Sequence, residues 1–77
     1  MEAWFTISQR WPDQIPEIRR RCRVDPEFKA TVADYAEARS ALDRWRGIDP
    51  ATSERIADYE RLVHEIGGEI DQYLSLP

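Results

Sequence analysis

Residues 25–47, DPEFKATVADYAEARSALDRWRG, decide how this chain folds. Asp25 has the short carboxylate of an N-cap, able to accept from the free backbone N–H groups of a first helical turn. Pro26 suits the next position, where its fixed φ is helical and its missing N–H would go unused anyway. At the far end Arg44 and Arg46 oppose the negative pole of the helix dipole. Gly47 is expected to close the helix in the left-handed conformation. Between these ends Phe28, Thr31, Tyr35, Ala38, Leu42 and Trp45 recur at steps of 3, 4, 3, 4 and 3. That spacing builds a seam against a second helix, and Val32 widens it on one flank.

The second helix follows at once. Asp49-Pro50-Ala51 reads as another Asp-Pro start, and Ile56, Tyr59, Val63, Ile66, Ile70 and Tyr73 repeat the same steps. Two matching seams joined by a short connection predict an antiparallel helical hairpin, residues about 26–46 and 50–74. The register sets Trp45 beside Ile56, Leu42 beside Tyr59 and Ala38 beside Val63. Further along it sets Tyr35 beside Ile66, Thr31 beside Ile70 and Phe28 beside Tyr73. Gly67-Gly68 reads either as a bend or close-packing point, where an aromatic from residues 4–11 presses on bare backbone, or as the end of the helix with GEIDQYLSLP as a fresh turn. The seam stays in phase through Ile70 and Tyr73, which favours one helix.

Upstream, Ile15, Ile18 and Cys22 share one face of a short helix over about residues 13–22, with Pro16 tolerable in its first turn. Residues 1–12, MEAWFTISQRWP, are dense in aromatics. With 77 residues there is room for one domain, and a bare hairpin leaves one side of its seam open. The aromatic segment is therefore expected to pack on the hairpin, and two copies to join into a helical bundle. The expected fold class is all-α.

Charge is divided unevenly. Residues 1–24 carry five arginines against three acids, whereas residues 25–77 carry six basic and twelve acidic side chains. An acidic helical body disfavours general nucleic-acid binding. The basic cluster Arg19, Arg20, Arg21 and Arg23 lacks interleaved glycines or aromatics, so it reads first as helix-end complementation and salt bridging. One cysteine, expected to be buried, excludes an intrachain disulfide and a multi-cysteine metal site. The one histidine, His64, falls off the apolar stripe and has no ligand companions at metal spacing. No nucleophile–base pair is apparent, and no apolar run approaches the roughly 20 residues of a membrane span. Outward carboxylates such as Asp34/Glu37 read as solvated, with Asp34 placed to reach a hydroxyl or an arginine across the hairpin. The opposite charges Asp25/Lys29, Arg39/Asp43, Glu60/His64 and Arg61/Glu65 stand four apart.

The stretch 15–42 resembles short bacterial helical-hairpin proteins of the YdcH type, through Asp25, Pro26, Phe28 and the aromatic Tyr35 seven residues later. That resemblance implies a bacterial source and a small interaction protein, and it brings no activity. The expected function is thus a non-enzymatic, cytoplasmic protein–protein interaction module without a cofactor or a membrane anchor. Its partners would be a second copy of itself and an unidentified protein. Candidate partner contacts are Trp4, Phe5, Trp11, Arg19, Arg20 and Arg23; no catalytic or metal-binding residue is expected. The alternative is a nucleic-acid-associated regulator using Arg19–Arg23.

Overall fold

The computed structural model describes residues 2–47 and 53–76. They form four helices and no strand: α1 (Glu2–Arg10), α2 (Ile15–Val24), α3 (Pro26–Arg46) and α4 (Ser53–Ser75). The α3–α4 pair is the antiparallel hairpin, and α1 and α2 both pack on α3. The Asp49-Pro50 start expected for the second hairpin helix lies outside the described residues.

Asp25 joins two helices by itself. Its backbone is extended, its N–H donates to the Arg21 carbonyl at the end of α2, and its carbonyl accepts from Lys29 in α3. One carboxylate oxygen accepts from the N–H groups of Glu27 at 3.0 Å and Phe28 at 3.1 Å. The cap thus occupies the carboxylate that could have paired with Lys29. At the other end the expectation for Gly47 is corrected: its φ of −89° and ψ of −6° are right-handed. The helix closes instead by a tightened last turn, Gly47 N–H to the Arg44 carbonyl at 3.1 Å.

The register of the hairpin matches the seam at Phe28 and is offset by one residue at Tyr35. Phe28 and Tyr73 meet edge to face with centroids 5.1 Å apart. Tyr35 lies over α4 at Gly67, one residue beyond its expected neighbour Ile66; a Cβ on Gly67 would sit 3.4 Å from the tyrosine Cε2. The aromatic pressing on bare backbone is therefore Tyr35, not a residue of the first segment, and α4 runs through both glycines as one helix. The seam itself is broader than its spacing suggested. Val32 and Ala36 are buried beside Phe28, Tyr35, Ala38 and Leu42, while Thr31 and Trp45 are only half-buried. Two faces of α3 are covered, one by α4 and the other by the N-terminal helices.

The aromatic segment is itself a helix, which its composition alone did not announce. Trp4, Ile7 and Trp11 recur at helical spacing, and Ile7 and Trp11 are buried. Trp11 sits edge-on to Tyr35 at 5.0 Å and its indole N–H donates to the Asp71 carboxylate at 2.7 Å. Arg10 takes the other oxygen of Asp71 at 2.8 Å. The end of α1 is thereby tied to the last turns of α4. Pro12-Asp13 then forms a turn closed by Gln14 N–H on the Trp11 carbonyl at 3.2 Å. That turn shifts α2 two residues later than its expected span, because Gln14 and not Pro12-Asp13 precedes its first turn.

The core collects Ile7, Trp11, Ile18, Phe28, Val32, Tyr35, Ala36 and Ile70 around the middle of α3. Cys22 is half-buried against it, and desolvation pushes its thiol above its ordinary range. No helix among the described residues is long and apolar enough to cross a membrane.

Candidate interaction surfaces

Three surfaces are left once α1 and α2 have docked. The first is the open groove between α3 and α4, on the side away from the N-terminal helices. Its floor is Ala38, Ala41, Tyr59, Leu62 and Ile66, and Asp34, Glu37, Ser40 and Arg44 border it. The space is about 520 Å³. Leu62 is 41% exposed there. A second shallow depression continues the same side of the hairpin past Thr31, Glu69, Gln72, Tyr73 and Leu76.

The second surface is a basic groove of about 560 Å³ where three helices converge: Trp4 from α1, Arg19, Cys22 and Arg23 from α2, and Lys29 from α3. The Arg19 guanidinium lies 4.9 Å from the centre of the Trp4 ring, a cation–π contact that holds both side chains. Among the described residues its lining carries three cations and no carboxylate.

The third surface also looks basic, with Arg10, Arg39 and Arg46 around Tyr35 and His64. Each arginine there has an acid: Arg10 meets Asp71 at 2.8 Å, Arg46 meets Glu60 at 3.4 Å and Arg39 meets Asp43 at 3.6 Å. The expected Arg39/Asp43 pair is thus formed, while Glu60 reaches across the hairpin to Arg46 instead of along α4 to His64. No group of three or more His, Cys, Asp or Glu side chains suited to a metal ion occurs among the described residues.

The six residues picked from the sequence are scattered by the fold. Trp4, Arg19 and Arg23 share the basic groove. Phe5 is 66% exposed on the outer side of α1. Trp11 is 3% exposed, so as a contact for a partner it is corrected to a core residue. Arg20 turns back along α2 to Glu17, its Nε donating at 3.1 Å.

Arg21, passed over as a contact, has the most specific role of the cluster. Its Nε donates to Glu17 at 2.8 Å, and its terminal nitrogens donate to the carbonyls of Tyr73 and, at 2.8 Å, Leu76. It caps the C-terminus of α4 from a different helix, supplying the positive charge that the last turn of α4 lacks. The hydrogen bonds from Arg20 and then Arg21 hold the Glu17 carboxyl down to about 2. The sequence signal for this was the absence of any basic residue in the last turn of α4. Asp71 was missed as well, although a buried tryptophan needs an acceptor for its N–H.

Together these features define a small all-α helical hairpin with an N-terminal helical cover, an open apolar groove and a separate basic groove. No protein-family model, curated protein or solved structure matches the chain.

Proposed function

We propose that this chain is a non-enzymatic protein-interaction module of the cytoplasm that self-associates through the open side of its α3–α4 hairpin. As a dimer it would offer its remaining surfaces to a partner protein. The observation that carries this reading is the groove floored by Ala38, Tyr59, Leu62 and Ile66, with Leu62 left 41% exposed. The extents of 43 × 22 × 20 Å describe a rod, the shape of half a bundle. The resemblance of the DP-x-F start to YdcH-type hairpins implies a small interaction protein.

Sedimentation velocity over a range of concentrations tests the reading. Wild-type protein is expected to approach twice the monomer mass, and Leu62→Asp to remain at about 9.1 kDa with unchanged helix content. A wild-type chain that stays monomeric at every concentration would remove the self-association.

A second reading keeps the basic groove of Arg19, Arg23 and Lys29 for nucleic acid, supported by the lack of a carboxylate in its described lining. Arg20 and Arg21, however, are engaged within the fold. A labelled DNA or RNA that does not shift at about 50 mM salt, where phosphate contacts are strongest, would remove that reading.

A further inference from the structure

We propose that the two copies meet with α3 antiparallel to its own mate, across a two-fold axis at Ser40–Ala41, so that Glu37 of each copy pairs with Arg44 of the other. This rests on the self-association reading above and adds the orientation, the register and the residues that set them.

The argument is one of charge complementarity around an apolar groove. Ser40 and Ala41 lie midway between Glu37 and Arg44, and all four residues border or floor the same groove. Glu37 and Arg44 are seven residues apart, which is two turns and roughly 10 Å along one helix face. An antiparallel two-fold through their midpoint carries each acid onto the other copy's base. A parallel arrangement would instead set Glu37 against Glu37 and Arg44 against Arg44, which costs energy twice. Asp34, one turn beyond Glu37 on the same rim, strengthens the same polarity.

The hairpin register gives an independent check on that axis. Phe28 lies against Tyr73 and Tyr35 against Gly67. Continuing the two helices at equal rise puts Ser40–Ala41 level with residues about 60–61 of α4. Tyr59 and Leu62 then straddle the axis, so each packs on the other in the second copy, and exposed Leu62 is covered. Ser40 and the alanines Ala38 and Ala41 at the crossing keep the approach of the two α3 helices unobstructed. Two helices about 30 Å long and 20 Å across offer on the order of 600 Å² per copy, close to the roughly 800 Å² of a standard interface.

The test uses the full chain in a Cys22→Ser background. Ser40→Cys is expected to form a disulfide-linked dimer on mild oxidation. Glu37→Cys is not, because its mate would lie about two turns away, beyond disulfide reach. Separately, Glu37→Arg and Arg44→Glu should each weaken self-association by about tenfold, and the two together should restore it to within about threefold. Glu37, Ser40 and Arg44 are solvent-exposed, so their variants are expected to keep the helix content of the half-buried Cys22→Ser parent by circular dichroism. A wild-type dimer in which Ser40→Cys does not crosslink and the double charge swap gives no rescue overturns this orientation while the self-association reading stands. A wild-type chain that is monomeric throughout overturns both.

Discussion

Glu17 shows how a half-exposed residue can still set the state of a helix it does not belong to. It accepts from Arg20 and Arg21, and Arg21 in turn closes the last carbonyls of α4. Its folded-state carboxyl titrates at about 2, against an ordinary value of 4.5. A carboxyl whose folded pKa is depressed adds stability that is present above its unfolded value and lost as pH falls through its folded one. Glu17 therefore contributes above about 4.5, and the contribution disappears between there and about 2. Thermal melts of wild type and Glu17→Gln should differ by a constant amount above pH 5 and converge toward pH 2. A difference that persists undiminished at pH 2 would show that the pair acts by packing and not by charge. Asp71 plays a comparable part at the other end of the cover, where one carboxylate satisfies both Trp11 and Arg10.

Among the elements, α4 carries an avoidable cost. Two adjacent glycines in a helix interior weaken it by roughly 1 kcal/mol each relative to alanine. They are not equivalent. Nothing lies within 4 Å of a Cβ on Gly68, so Gly68→Ala should raise stability by about 1 kcal/mol in chemical denaturation. At Gly67 the new methyl would meet the Tyr35 ring at 3.4 Å, and its gain should be smaller or absent. Equal stabilisation at both sites would contradict the close approach of Tyr35. This contrast also marks how far the sequence could be read. The Asp25-Pro26 start, the matching seams and the Phe28–Tyr73 register were legible because capping and periodicity are local properties of a helix. The contact of Tyr35 with Trp11 was not, because it depends on α1 crossing the opposite side of α3, while the approach of Tyr35 to Gly67 lay one residue from its expected neighbour Ile66. Ala36 escaped the seam, and Val32 was read only as its flank, for the same reason: a helix covered on two sides has no single stripe. The candidate site divided along the same line. Trp4, Arg19 and Arg23 come together, whereas Trp11 went inside because its ring completes the core and its N–H finds Asp71.

At the scale of the whole molecule, α3 is covered on one side by α1 and α2 and on another by α4, while the groove between α3 and α4 stays open. The acidic hairpin and the more basic N-terminal helices give the chain two chemically different sides. In the proposed dimer a second copy would cover the open groove, leaving the basic groove of Trp4, Arg19, Arg23 and Lys29 facing solvent. The most direct test is a dilution series of amide proton–nitrogen correlation spectra. The account predicts that Glu37, Ser40, Ala41, Arg44, Tyr59 and Leu62 shift with protein concentration while Ile7, Ile18 and Trp11 do not. Spectra that are invariant on dilution, or shifts gathered on α1 and α2, would contradict it.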